Sequence, residues 1–268
     1  MEIKRDLLLK RLIDLRHNGM IKVVTGMRRC GKSYLLFNLF TDALKAKGVD
    51  EENIVQINLE DRRNKSLRDP DKLLAYIDSR LKDNKMYYIL LDEVQLVNEF
   101  EDVLNSYLQV KNADVYVTGS NARFLSKDVI TEFRGRGLEI RVHPLSFSEI
   151  RGARPDEPIE QLWIEYITYG GLPQVITMNS DQEKVDYLKG LFKHTYLKDI
   201  KERYDIKLDG DLEELISTLA STVGGLTNPR KLADTFRTVK KSTISQDTIK
   251  VYIDYLQDAF IIERALRY

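Results

Sequence analysis

The sequence predicts an α/β protein built on a five-stranded parallel sheet, and three observations carry that expectation. Five short apolar runs in the first 144 residues alternate mostly with helical patterns. A glycine loop of spacing G-x-x-x-x-G-K-S lies between the first run and the helix that follows it. A third apolar run leads straight into an Asp-Glu pair. Strands alternating with helices point to a parallel sheet covered on both faces.

Residues 4–16 hold Leu7, Leu8, Leu12, Ile13 and Leu15 at helical spacing among Lys and Arg, and His17-Asn18-Gly19 supplies a stop. IKVVTG, residues 21–26, reads as a short buried strand, and residues 33–44 then place Leu35, Leu36, Leu39 and Phe40 on one helical stripe. NIVQINLE (53–60) is the second strand, followed by a polar loop and a helix starting near Pro70. MYYILLDE (86–93) is the third and precedes a helix over 99–110, while ADVYVTGSN (113–121) and LEIRVHP (138–144) are the fourth and fifth. After Pro144 the alternation stops. Helices are expected over 147–150, 159–168 and 182–201, with RGARPDEP (151–158) as a boundary loop. Three short helices follow at 212–221, 229–236 and 245–258. Asn228 caps the second, with Pro229 in its first turn, and the third gathers Ile249, Tyr252, Ile253, Leu256 and Phe260 on one apolar face. The expected division is 1–146 for the sheet domain, 147–205 for a helical lid segment and 206–268 for the terminal module.

With 268 residues, 43% of them hydrophobic, the chain can bury a sizeable core. Lys plus Arg and Asp plus Glu are 42 each, so no global basic field gathers nucleic acid, and any such surface must be local. No apolar run is long enough to span a membrane, and the charged N-terminus lacks the apolar core of a signal peptide, so a cytoplasmic protein is expected. One cysteine excludes an intramolecular disulfide framework and any Cys-rich zinc site.

Gly26 and Gly31 let the backbone turn tightly and approach phosphate oxygens of a nucleoside triphosphate. Met27, Arg28, Arg29 and Cys30 between them need offer only backbone N–H groups, and Lys32, Ser33 and Tyr34 open a helix whose N-terminus favours anions. Lys32 would neutralise the β- and γ-phosphates, and Ser33 would place its hydroxyl on Mg²⁺. In YYILLDE, Asp92 is the second expected Mg²⁺ group, and Glu93 is placed to orient and deprotonate a water. Such a pair favours hydrolysis without excluding transfer to another acceptor, as in a kinase. No N-K-x-D run for guanine is present, so ATP with Mg²⁺ is the expected ligand.

TGSN ends the fourth strand, where Ser120 or Asn121 would touch the γ-phosphate or the attacking water, or else cap the next helix. Arg134 and Arg136 flank Gly135 just before the fifth strand, as an arginine finger in cis or in trans or as a solvated basic loop. Arg28 and Arg29 are free to pair with acidic residues of the lid or of a partner. Cys30 reads as a small tolerated residue, or as a redox switch if the helix N-terminus lowers its thiol pKa.

TGMRRCGKS, LLDEVQ, TGSNARFLS with the following GR, HPLSFSEI, YGGLPQV and YLKDI, in that order, resemble the successive signatures of a widespread prokaryotic ATPase family in the AAA+ group. Its relatives include the archaeal-type ATPases and the signal-transducing NTPases with numerous domains. The resemblance runs from about Ile21 to the end of the sequence. It implies a P-loop NTPase core with strand order 5-1-4-3-2, a helical segment and a winged helix-turn-helix. It also implies that Lys32 and Ser33 serve phosphate and Mg²⁺, Asp92 and Glu93 metal and water, Ser120 as a sensor, and Arg136 as the arginine of the GR motif. Arg28 and Arg29 match an arginine pair recurrent in that family's loop. Members usually continue into a nuclease-like domain of uncertain activity, whereas this sequence stops at FIIERALRY, where the first strand of the wing would start.

Residues 228–252 hold Arg230, Lys231, Arg237, Lys240, Lys241 and Lys250 against Asp234 and Asp247, a local basic patch suited to DNA phosphates. Asp254 and Asp258 beside Lys250 oppose that reading, and such modules also serve as plain packing or protein-docking units. The leading expectation is an Mg²⁺-dependent ATPase acting as a nucleotide switch. The alternative is a DNA-binding regulator that holds ATP and scarcely hydrolyses it. A protein partner or a second copy of the chain is the further expected contact.

Overall fold

The five apolar runs form one parallel sheet in the computed structural model of the chain, which describes residues 3–119, 133, 135–206, 209–240 and 244–265. The strands are β1 (Ile21–Thr25), β2 (Ile54–Asn58), β3 (Tyr87–Asp92), β4 (Ala113–Gly119) and β5 (Gly137–Arg141). They lie in the order β2-β3-β4-β1-β5, which from the opposite edge is the 5-1-4-3-2 order that the resemblance implies. All four pairings are parallel. Every strand therefore delivers its C-terminal end to the same edge of the sheet.

Side chains alternate between the two faces with the period of two that a strand imposes. Val23, Ile57, Ile89, Leu91, Val115 and Val117 pack with Leu73 and Ile77 of α3 (Pro70–Arg80) and Leu104 of α4 (Phe100–Tyr107). Val24, Tyr88, Leu90, Tyr116 and Ile140 meet Leu12 of α1 (Asp6–Asp14) and the Leu35, Leu36, Leu39 and Phe40 stripe. That stripe belongs to α2, residues 32–46, a helix whose middle, Leu35–Phe40, widens to π-type turns. Asp69 caps α3, accepting from the Lys72 amide, and Pro70 opens it.

Two expectations change. The polar loop after β2 contains a 3-10 helix, Arg62–Arg68, capped by Asp61. Its residues are nearly all polar, so hydrophobic periodicity could not reveal it. The boundary loop at 151–158 loses its first three residues to α5 (Phe147–Ala153), because Ser146 and Glu149 form a reciprocal capping box that fixes the helix start.

The chain divides into two compact units, Met1–Val185 and Asp186–Tyr268. The first holds the sheet with α5, α6 (Ile159–Tyr169) and the short α7 (Pro173–Ile176). α8 (Asp181–Leu191) continues through Phe192–Leu197 into α9 (Lys198–Tyr204). In the second unit, α10 (Asp209–Ser221), α11 (Pro229–Thr235, continuing as Phe236–Lys240) and α12 (Gln246–Asp258) close on a core of Ile200, Leu212, Leu215, Phe236, Ile249 and Leu256. Ser245 caps α12. Residues 261–265, where a wing strand was expected to begin, form no strand, and 266–268 lie outside the described residues. Among the described residues, no helix is long and apolar enough to cross a membrane.

At the end of the sheet where the strands begin, Lys22 of β1 and Asp114 of β4 form a fully buried ion pair. Lys22 Nζ also donates to the Met20 carbonyl at 2.8 Å, and Asp114 Oδ2 accepts from the Tyr116 hydroxyl at 3.1 Å and the His17 amide at 3.1 Å. Burial pushes the Lys22 amine below its ordinary range, with the Asp114 charge opposing that shift. Removing one partner strands the other charge in the core. Asp114→Ala is expected to destabilise the first unit by about 3–5 kcal/mol in urea unfolding, and the double change Lys22→Met with Asp114→Leu to recover most of that loss.

Candidate functional site

β1 ends at Thr25, and the chain turns at once into the glycine loop. Gly26 has φ 141°, and a side chain there would collide with the carbonyl oxygen of Val142, just past β5. Only glycine meets both conditions. Arg29 and Gly31 also take left-handed backbone, at φ 66° and 97°. Lys32 folds back over the loop and donates Nζ to the carbonyls of Gly26 and Met27, each at 3.0 Å. The Gly31 carbonyl accepts from the Leu35 amide at 2.9 Å and begins α2. In front of the loop lies a cavity of about 280 Å³, bordered by Arg28, Gly31, Lys32, Ser33, Glu60 and Glu93.

Asp92, the last residue of β3, is buried, and its Oδ1 accepts from Ser33 Oγ at 2.8 Å and Thr118 Oγ1 at 2.5 Å. Burial pushes its carboxyl above the usual carboxylate range, against the two hydroxyls that pull it down. Glu93 follows in left-handed backbone, φ 55°, which turns it out of the strand line. Its amide donates to Thr118 Oγ1 at 3.0 Å, and its carboxylate accepts from Gln95 Nε2. The other amide atom of Gln95, Oε1, is buried without a hydrogen-bond partner among the described residues. One hydroxyl, that of Thr118 on β4, thus ties both acids to the neighbouring strand.

Sequence reasoning missed Thr118 and Gln95. The signal was a hydroxyl two residues before Ser120, at the end of a strand adjacent to the acidic one. Ser120, Asn121 and Arg134 lie outside the described residues. Arg28 pairs with Glu60 Oε1 at 2.9 Å, an acid from the loop after β2. Tyr34 is about half exposed at the start of α2. Cys30 is fully buried, donates Sγ to the Val142 carbonyl at 3.3 Å, and has its thiol pushed up by burial. The redox-switch reading needs an accessible, acidified thiol, and the core around Cys30 supplies neither.

Arg136 is exposed, and Gly137 after it pairs with Ile21 at the beginning of β1. Arg136 is therefore level with Met20, six residues before Gly26, or roughly 20 Å from its own loop at the rise of an extended strand. No arginine side chain spans that distance, which removes the cis reading for Arg136.

A glycine loop at the switch from β1 to α2, with Asp92 on a strand of the same sheet, defines a P-loop nucleotide-binding protein of the AAA+ type. A matching family model agrees. A family model described as an AAA domain matches residues 18–151, and another described as a domain of unknown function matches residues 160–268. An uncharacterized protein of Haemophilus influenzae is 34% identical over 271 residues, covering 99% of this chain and 67% of that protein. One of Methanocaldococcus jannaschii is 28% identical over 255 residues, covering 90% of this chain and 55% of that protein. The chain thus spans from about half to two thirds of the length of these relatives. A solved structure, the Aeropyrum pernix Orc1 protein in complex with DNA, aligns with 11% identity and a TM-score of 0.42 over 96% of this chain and 84% of that one. The chain belongs to the AAA domain family.

A carboxyl raised by burial weakens the fold as pH climbs from its unfolded value toward the raised one, because the native state holds the extra proton. Without nucleotide or metal, Asp92→Asn, which keeps the shape and removes the charge, should raise the thermal midpoint at pH 7. That gain should vanish as pH falls into the ordinary carboxyl range, where Asp92 is protonated in both states. Melting curves of both proteins across pH 4–7.5 would check it.

Proposed function

We propose that the chain binds Mg²⁺-ATP at residues 26–33 and hydrolyses it. The observation that carries this reading is the single carboxylate oxygen of Asp92 held by hydroxyls from both the phosphate-loop helix and β4. A carboxylate with hydroxyls supplies the hard oxygen donors that suit Mg²⁺, and a carboxyl strained by burial gains from a cation. Ser33 and Asp92 would hold Mg²⁺, which would neutralise charge on the phosphate oxygens. Lys32 exchanges its two loop carbonyls for the β- and γ-phosphates, and the loop and the start of α2 offer their amides. Glu93, fixed at its amide by Thr118 and at its carboxylate by Gln95, orients a water and takes its proton as the new bond to phosphorus forms. Ser120 acts as a sensor of the γ-phosphate. Arg136, too far from its own loop, serves the nucleotide of a neighbouring copy. The helical segment and a winged helix-turn-helix in 206–268 read out the nucleotide state.

The test follows phosphate release and ATP binding in wild type, Lys32→Ala and Glu93→Gln. Wild type should turn over; Lys32→Ala should lose at least about tenfold in affinity, the scale of a charge-assisted contact. Glu93→Gln should bind normally and turn over about a hundredfold more slowly or worse. Turnover untouched by Lys32→Ala would sink the assignment. Binding without phosphate release in any of the three would favour the regulator that holds ATP.

A second reading, DNA binding by the second unit, is supported by exposed Lys231, Arg237 and Lys250 on α11, its extension and α12. The carboxylates that oppose it are engaged: Asp254 lies 3.8 Å from Arg264, and Asp258 accepts from the Tyr204 hydroxyl at 2.7 Å. Neutralising Lys231 and Lys250 together should lower the salt slope of duplex binding by about 1 per lysine. A slope that stays unchanged would point to protein docking instead.

A further inference from the structure

A loop that turns its N–H groups toward phosphate puts carbonyls on its other side, and buried carbonyls need donors. Those of Gly26 and Met27 have Lys32, and that of Gly31 has the Leu35 amide. The carbonyl of Cys30 points into the interior, and its donor is Arg5 Nη1 at 3.0 Å. Arg5 is 5% exposed, and its guanidinium is used on all sides. Nη2 donates to the His143 carbonyl at 2.7 Å, and Nε donates to Glu149 Oε1 at 3.0 Å. Glu149 is itself fixed, because its Oε2 accepts from the Ser146 amide at 2.7 Å in the box that starts α5.

Arg5 precedes α1 and lies before residue 18, where the AAA domain match begins. Nothing in its sequence surroundings sets it apart from the charges of an amphipathic helix. Its Nη1 nevertheless sits 3.9 Å from where a side chain on Gly31 would start, directly behind the phosphate loop. The guanidinium serves a loop carbonyl, a second carbonyl past β5 and a carboxylate from three separate nitrogens in one plane, whereas the three donors of an ammonium all leave a single nitrogen and match acceptors spread in this way less well.

We propose that Arg5 is a positioning residue of the phosphate loop. It fastens the Cys30 carbonyl away from the cavity, keeps the loop amides arrayed for phosphate before any ligand arrives, and makes the N-terminal segment part of the nucleotide site. Its consequence for affinity rests on the ATP reading; its consequence for the loop does not.

The chain's single cysteine lets the loop be read without nucleotide. The rate at which a soluble thiol reagent labels Cys30 is measured in wild type, Arg5→Met, Arg5→Lys and Leu104→Ala. The last is a core change on α4, and temperatures are set so that it and Arg5→Met lie equally far below their melting points. Arg5→Met should label about tenfold faster than both wild type and the matched core variant, and Arg5→Lys at an intermediate rate. With ATP, Arg5→Met should bind about tenfold more weakly while turnover at saturation stays within about twofold of wild type, a split that general destabilisation does not produce. Should Arg5→Met fail to fold, Arg5→Lys labelling at the wild-type rate overturns the proposal. If it folds, labelling no faster than in Leu104→Ala overturns it. Wild type that binds no ATP defeats the functional reading alone, and the labelling comparison still decides the role of Arg5.

Discussion

The carbonyl oxygen of Val142 occupies the space where a side chain on residue 26 would begin, and the site is organised around that close approach. The Val142 amide donates to the Thr25 carbonyl at 2.7 Å, extending the β1–β5 pairing one step beyond the strands. The Val142 carbonyl accepts from Cys30 Sγ, which brings the far side of the loop onto the same point. With the loop pinned at both ends, the Gly26 and Met27 carbonyls converge on Lys32, and α2 starts where Ser33 reaches Asp92. A bulkier residue at 26 would move β5, the loop and the helix start together.

From that anchor the chemistry spreads along the sheet by adjacency. β1, β4 and β3 are neighbours, so the loop, Thr118 and the Asp92-Glu93 pair emerge side by side at one edge. The arrangement is costly in isolation, because it buries a carboxyl outside its ordinary range and holds Glu93 in left-handed backbone. Such local tension concentrates where function requires it. The Lys22–Asp114 pair, buried at the opposite end of β1 and β4, balances its charges internally and leaves none over for a ligand.

The sheet and the acidic pair were legible in the sequence because each depends on a local pattern: an apolar run, a loop of fixed spacing, a strand that ends in acids. What escaped depends on contacts between distant segments. Thr118 reads as an ordinary β-branched strand residue until β4 is set beside β3. Arg5 meets Glu149 across 144 positions, and no local pattern marks either as a partner of the other. Cys30 reads as a small tolerated residue with a redox role left open beside it, and the direction of its side chain, into the core, decides for the former. Arg136 carried the motif of a finger, but its location followed only from the register of β5 on β1.

That register bears on how complete one chain is. Lys32 and Ser33 at the start of α2 and Asp92 and Glu93 at the end of β3 gather at the loop within the first unit, and on the proposed function they are the groups that bind phosphate and activate water. The charge that builds on a transferring phosphoryl group is most effectively met by a guanidinium, and in related chemistry its arrival changes the rate by several orders of magnitude. Here the guanidinium of Arg136 stands at the wrong end of the sheet for its own nucleotide. If the proposed function holds, a lone chain keeps ATP in a site that lacks this guanidinium, and its turnover is slow. On that same proposal, rapid turnover is a property of association, set by whatever brings a second copy's Arg136 to the cavity.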